Sequence, residues 1–236
     1  MDAAVFKIYD IYWAFNYGIY YLSLAKNKKS DEKNELLEKN VFLINSLMYI
    51  NFCVDYCWQL MFMFSQPDTN SLYNHEDFCR LSKTEDLQKI VKDNLRYLKN
   101  LSQDFSRAAI VENVFDVINK KLAETTIREK YNYIKHRGMY YYGLGDNNKK
   151  AFEKLGIKII YKDINGNEKE VKSKNMLYRD VISLDELYLK LNDFYRCYGE
   201  QIDKLLTIIP SKYCCKNSKD FNVLLKCFNI KDIINE

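Results

Sequence analysis

Hydrophobic residues recur at intervals of three and four along most of the chain, which is the spacing of one face of an α-helix. Only two prolines and seven glycines interrupt this pattern, and such a composition favours long helices over a turn-rich β architecture. The pattern predicts a mainly α protein, a helical bundle that forms a single domain over residues 1–236. Six helices are predicted, at 1–26, 31–64, 86–101, 103–122, 127–136 and 183–210, and a short helical tail follows at about 211–236. The fifth helix either continues the fourth or restarts after it.

The period of the pattern changes in one place, between the fifth and sixth predicted helices. Ile157, Ile159 and Tyr161 alternate with Lys158, Ile160 and Lys162, and the pair Asn165-Gly166 follows as a strong hairpin-turn signal. We therefore expect a small β-hairpin at about 158–173, inserted into the helical domain at about 156–174. A two-stranded ribbon is marginal alone and has to pack on the helical body or on a partner.

The apolar stretch 41–64 is long enough to span a bilayer, so a membrane has to be considered. Asn51, Asp55 and Gln59 form a polar stripe at intervals of four within it. An ionised Asp near the middle of a span costs about 3 kcal/mol on insertion scales. The stripe favours a central buried helix and no membrane partner, and a buried helix that also pairs with another protomer stays open.

Charge and cysteine content add expectations about compartment and metals. The chain has 36 basic and 32 acidic side chains, a mild excess that does not by itself predict a nucleic-acid partner. Seven cysteines lack the spacing of a disulfide framework, and the first ten residues, which include two aspartates, do not resemble a signal peptide. These observations predict a cytoplasmic protein. The pairs His75/Cys79 and Cys214/Cys215 do not make a typical zinc pattern, so we expect no metal and no cofactor.

The candidate chemistry is concentrated in residues 120–137. This segment contains six cations against two glutamates, so its net charge of +4 equals that of the whole chain. Arg128, Asn132 and His136 recur at intervals of four, which predicts a shared helical face. A basic patch attracts phosphates, and the interleaved tyrosines could stack unpaired bases. The alternative is structural: cations favour a helix C-terminus, and a histidine there can simply cap the helix.

His136 narrows the chemistry that this segment could perform. Near neutral pH an imidazole can take a proton from a ribose 2′-hydroxyl, and a guanidinium can stabilise the charge that develops on phosphorus. That reaction needs no metal. Gly138 follows as a natural stop for the helix.

The residues REKYNYIKHRG, at positions 128–138, resemble the signature of HEPN domains, in particular a branch in which a late helix ends in N-x-I-K-H-R-G. HEPN proteins are helical bundles of prokaryotic toxin–antitoxin, abortive-infection and CRISPR systems, and many are metal-independent endoribonucleases that form one composite cleft per dimer. The resemblance implies a toxin or antiviral-defence effector that binds RNA as a homodimer, with an antitoxin or other defence-system protein as a further partner. It also implies catalytic roles for His136, Arg128 and Asn132.

The cations that lie near Arg128, Asn132 and His136 in the sequence, and the nearest tyrosine after them, complete the predicted site. Lys130, Lys135, Arg137 and Tyr140 are predicted RNA or phosphate contacts. The resemblance also implies that a partner enzyme can neutralise the protein by modifying a tyrosine near the motif, and Tyr140 is the nearest candidate. Seven residues lie between Arg128 and His136, whereas the family typically has four to six residues between the arginine and the histidine. The alternative of a non-catalytic HEPN-like module that binds RNA or protein and regulates another effector therefore stays open.

Overall fold

The predicted helical bundle is confirmed by the architecture of the chain. The computed structural model describes residues 2–28, 33–65, 87–100, 105–142, 159–162, 166–171 and 181–213. Within these ranges six helices carry nearly all of the regular structure. They are α1 (Asp2–Lys26), α2 (Lys33–Ser65), α3 (Leu87–Asn100), α4 (Phe105–Thr125), α5 (Ile127–Arg137) and α6 (Leu184–Tyr213).

Helices α1 and α2 form a long antiparallel pair, and α6 packs against both of them. The phenol of Tyr195 on α6 donates a hydrogen bond of 3.0 Å to the carbonyl oxygen of Ser46 on α2. The same ring lies directly against Gly18 on α1, where an added Cβ would be 1.7 Å from the Tyr195 hydroxyl oxygen. Because only a residue without a side chain leaves this space, Gly18 permits the close approach of α1 and α6.

Helix α2 runs through the centre of the bundle, as its apolar sequence predicts. Leu43, Leu47, Ile50 and Val54 are completely buried on its inner side. By length and composition α2 is the one described helix that could cross a membrane, and 56% of its apolar window is buried inside the bundle. A core helix of a water-soluble bundle has the same length and composition.

Helices α4 and α5 are separated by a single residue in the left-handed conformation. Thr126 has φ 57°, which is uncommon for a β-branched residue. The hydrogen bonds continue on both sides of it: its N–H donates to Leu122 O at 3.0 Å, and its carbonyl oxygen accepts from Lys130 N–H at 3.1 Å. Of the two alternatives for this region, a restart of the helix is the one observed.

Two pairs of short strands accompany the helices. Strands β2 (Ile159–Lys162) and β3 (Glu168–Val171) pair antiparallel with Ile159 opposite Val171, inside the region 158–173 where the alternation predicts strands. Residues 163–165 of the predicted turn lie outside the described residues, and Gly166 has φ 80°. Strands β1 (Tyr141–Tyr142) and β4 (Val181–Ile182) form a parallel pair that the sequence pattern does not predict.

The ends of two predicted elements differ from the structure or lie beyond it. Helix α6 passes Pro210, where the sequence predicts its end, and continues to Tyr213. Residues 214–236 of the predicted tail, and His75 between the second and third predicted helices, lie outside the described residues.

Candidate functional site

Helix α5 carries the predicted site, and Arg128 in its first turn fixes it to α2. One terminal nitrogen of the guanidinium donates a 2.7 Å hydrogen bond to Asp55 Oδ1, and the other donates a 3.2 Å bond to Asn51 Oδ1. The contact with Asp55 is an ion pair in which the two side chains are 28% and 33% exposed. Planar, charge-assisted contacts of this kind set the orientation of the helix as well as its distance from α2.

Two aromatic rings enclose the same guanidinium. Its central carbon lies 5.2 Å from the ring centroid of Trp58 on α2 and 5.5 Å from that of Tyr131 on α5. Burial raises the pKa of the Tyr131 hydroxyl, the charge of Asp55 raises it further, and Arg128 opposes both effects. Arg128 is therefore held between an anion and two rings at the interface of α2 and α5.

The other end of α5 is exposed to solvent. Asn132, Lys135, His136 and Arg137 are all exposed, with cations on both sides of the imidazole. A rise of 1.5 Å per residue places His136 about 12 Å along the axis from Arg128. The two motif residues therefore lie at opposite ends of α5.

The shared face that the spacing predicts for Arg128, Asn132 and His136 is only approximate. A turn contains 3.6 residues, so positions eight apart differ by about 80° around the helix axis. This drift suffices to turn Arg128 toward α2 while Asn132 and His136 face solvent. The solvent-exposed part of the predicted face therefore begins at Asn132, one turn after Arg128.

Two of the predicted RNA contacts, Tyr140 and Lys130, are not exposed to solvent as His136 is. Tyr140 is only 9% exposed, and its ring stacks on Tyr133 at a centroid distance of 4.2 Å. The Arg137 guanidinium lies 5.8 Å from the same Tyr133 ring. The Tyr140 ring therefore supports the end of α5 instead of presenting a free stacking surface.

Lys130 is partly buried, unlike the exposed Lys135 and Arg137. Lys190 lowers the pKa of the Glu186 carboxyl on α6 through a hydrogen bond and through its charge, and the charge of Lys130 adds a smaller effect in the same direction. Lys130 therefore lies within electrostatic range of α6.

Gly138 ends α5 directly after the exposed row. Its φ of 92° and ψ of −171° lie in a region that is open essentially to glycine alone, and its N–H donates to Ile134 O at 3.1 Å. This turn brings Tyr140 back against Tyr133. The stop that the sequence predicts at Gly138 is confirmed.

Sequence reasoning missed the residues that anchor Arg128. The spacing of Asn51 and Asp55 is visible in the sequence, but by itself it argues only against a membrane span. Trp58 lies on the same helix, and its buried Nε1 has no hydrogen-bond partner among the described residues. A polar stripe on an apolar helix is a signal for a buried cationic partner, because an isolated carboxylate is costly to bury.

The described residues contain no group of three or more His, Cys, Asp or Glu side chains that could hold a metal ion. Searches against protein-family models, curated proteins and solved structures found no match to the chain. The HEPN resemblance therefore stays a prediction from residues 128–138.

Proposed function

We propose that the protein is a metal-independent endoribonuclease of the HEPN type, a toxin or antiviral-defence effector that acts in the cytoplasm. The observation that supports this proposal best is the solvent-exposed end of α5. His136 stands there between Lys135 and Arg137, with Asn132 one turn before it. Imidazole supplies the proton transfer, and the two cations supply the attraction for phosphate.

The proposed reaction is an internal transfer at one phosphodiester of RNA. His136 takes the proton of the ribose 2′-hydroxyl, and the 2′ oxygen forms a bond to the adjacent phosphorus. The bond from phosphorus to the 5′ oxygen breaks, and that oxygen accepts a proton from an acid. The products are a 2′,3′-cyclic phosphate and a 5′-hydroxyl, so the reaction consumes no co-reactant.

A homodimer would supply both the base and the acid of this reaction. Each chain contributes one His136, so two copies whose α5 ends face a common cleft would provide one neutral and one protonated imidazole. The paired Lys135 and Arg137 side chains would then hold the phosphate from both sides. An antitoxin or other defence-system protein is expected as a further partner, since an RNase of this kind has to be controlled.

Arg128 has a positioning role in this proposal. Its contacts with Asp55 and Asn51 use two of its five N–H donors, and they fix the axis of the helix that presents His136. Because a rigid element holds catalytic groups more precisely than a loop, this anchor would contribute to the rate without touching RNA.

One observation favours a second candidate, the non-catalytic HEPN-like module. The carboxylate of Asp55 already neutralises Arg128, and about 12 Å of helix separates that guanidinium from His136. Such a protein would bind RNA or a partner protein through Lys135 and Arg137 and would regulate another effector without cutting.

An RNA-cleavage assay in EDTA distinguishes the two candidates. The nuclease proposal expects cleavage by the wild type and a loss of at least about 100-fold in His136→Ala, since general acid–base catalysis contributes about 10²–10⁴-fold. Arg96→Ala on α3, where the side chain is 63% exposed, removes a surface cation away from the site and is expected to cut normally. Equal cleavage by wild type and His136→Ala, or no cleavage by either, contradicts the nuclease proposal.

Binding measured in the same samples separates RNA recognition from catalysis. Lys135→Ala and Arg137→Ala are expected to weaken RNA binding and to lower its salt dependence, because each removes one phosphate contact. RNA binding without cleavage would favour the regulatory module.

A further inference from the structure

The outer side of α1 presents large aromatic side chains to solvent. We name as the aromatic face the four that follow one another at intervals of four, four and three residues, a spacing that places them on one side of the helix. They are Tyr9, Trp13, Tyr17 and Tyr20, with exposed fractions of 47%, 40%, 45% and 57%. An outer helix side normally carries polar residues, so this face requires an explanation.

The rings of the aromatic face contact one another and the neighbouring helix. Trp13 stacks on Tyr17 at a centroid distance of 5.5 Å, and Tyr17 lies 5.3 Å from Tyr49 on α2. Tyr9 meets the edge of Trp13 at 5.8 Å. These contacts restrict the rotation of the side chains before any partner arrives, which lowers the entropy cost of association.

The charge around these rings indicates what kind of partner the face fits. Residues 11–25 of α1 and residues 40–54 of α2 contain no charged side chain. RNA binding depends on cations that neutralise phosphates, so an uncharged face is a poor match for a polynucleotide. The centres of protein interfaces are depleted in charged residues and enriched in tyrosine and tryptophan, which is the composition found here.

The exposed rings set the area that a second copy could cover. An aromatic side chain buries 150–250 Å², so the exposed fractions of four rings amount to roughly 400 Å². Two copies would bury about 800 Å² through these rings, an area that corresponds to a weak, concentration-dependent association.

We propose that the aromatic face is the surface through which two copies of this chain associate as a symmetric dimer. A face without net charge is compatible with its own copy, as a two-fold interface requires. The inference rests on the exposure, the composition and the area of this face, and it does not depend on the ribonuclease proposal.

Ring contacts continue from the aromatic face to the candidate site. Tyr49 lies 6.2 Å from Phe52, and Phe52 lies 6.2 Å from Tyr131 on α5. The rings therefore form a series of contacts that leads from Tyr17 on α1 through α2 to α5.

Sedimentation of the full chain over a range of concentrations tests the proposal. The wild type is expected to form a species of twice the chain mass of 28.2 kDa. Trp13→Glu and Tyr17→Glu are expected to weaken self-association by about 100-fold or more, since each places an unpaired charge in an apolar contact. Tyr97→Glu, at a tyrosine that is 54% exposed on α3, is the matched control and is expected to remain dimeric.

Tryptophan fluorescence gives a second readout in the absence of RNA. The chain has two tryptophans, and Trp58 is only 6% exposed, so added acrylamide mainly reports on Trp13. Diluting the wild type is expected to increase quenching as the dimer separates, whereas Tyr17→Glu is expected to show high quenching throughout. Denaturation of each variant checks that it folds, and Tyr20→Glu replaces any variant that does not.

Several results would overturn the proposal. A wild type that is monomeric at every concentration does so, as does a dimer that survives both glutamate substitutions. If the monomer instead binds neutral lipid vesicles through Trp13, the face is a membrane contact; if the variants stay dimeric but lose RNA binding, it is a base-stacking surface. His136→Ala is expected to remain dimeric, so a failure of the nuclease proposal leaves this result interpretable.

Discussion

The anchor between Arg128 and Asp55 permits a quantitative test of how α5 is held. Arg128→Ala removes an ion pair of 2.7 Å, a hydrogen bond of 3.2 Å to Asn51 and the contacts with the Trp58 and Tyr131 rings. Asp55→Ala removes only the anion. The double variant removes both partners, so the wild type and the three variants together form a thermodynamic cycle that isolates the pair.

The structure sets the expected magnitudes. Hydrogen bonds to charged groups contribute about 1.5–3 kcal/mol, and a cation–π contact at an exposed site contributes about 0.5–1 kcal/mol. Because the Arg128 and Asp55 side chains are 28% and 33% exposed, solvent screens the pair and the lower part of the range applies. We expect Arg128→Ala to reduce the free energy of unfolding by about 2–3 kcal/mol, with a coupling to Asp55 of about 1–1.5 kcal/mol.

Urea denaturation followed by far-UV circular dichroism measures all four proteins. His136→Ala is the matched control on the same helix, and its exposed side chain predicts a change within about 0.5 kcal/mol. Arg128→Lys is expected to recover only part of the stability, since an ammonium cannot reproduce the planar contact with both Asn51 and Asp55. A coupling below about 0.5 kcal/mol would refute the reasoning that this pair anchors α5.

Three backbone positions give further predictions, each measured by the same denaturation assay. Gly18→Ala is expected to reduce the free energy of unfolding by about 2–4 kcal/mol, because its Cβ would lie 1.7 Å from the Tyr195 hydroxyl oxygen. Adding Tyr195→Phe is expected to recover part of that loss. An unchanged stability of Gly18→Ala would contradict the close approach. Thr126→Gly is expected to stabilise the protein by about 0.5–1 kcal/mol, because glycine adopts the left-handed conformation without the strain of a Cβ. The same change at the buried helical Thr125 is expected to destabilise the protein. A change of the same sign at both positions would count against this account. Gly138→Ala is expected to cost about 1–3 kcal/mol because φ 92° and ψ −171° are unfavourable for any residue with a Cβ, and a neutral result would mean that the turn adopts another conformation.

Arg128 illustrates how a correct pattern can lead to an incomplete prediction of a site. Its spacing from Asn132 and His136 is a property of the sequence, and it correctly places all three on one helix. The direction of the arginine is decided by Asn51 and Asp55 in the polar stripe of α2, which lies more than seventy positions earlier in the chain. No local periodicity connects the two segments, so only the packed structure could show that Arg128 faces inward.

The aromatic residues of α1 show the same limit. Val5, Ile8, Tyr9, Tyr12, Trp13 and Phe15 all contribute to the apolar pattern that predicts this helix. The pattern does not separate Phe15, which is completely buried, from Trp13, which is 40% exposed. An aromatic ring satisfies a hydrophobic period equally well on either side, so the existence of the aromatic face depends on where α2 and α6 pack.

The sequence by itself determined the helical class, the approximate bounds of most helices, the stop at Gly138 and the position of the exposed basic end of α5. These features follow from local rules, namely apolar spacing, capping and the conformational range of glycine. Only the tertiary structure decided the partner of Arg128, the burial of Tyr140, the left-handed Thr126 and the exposure of the aromatic face. The partner of Arg128 and the exposure of the aromatic face depend on contacts between residues distant in sequence, and such contacts form only when whole helices pack against one another.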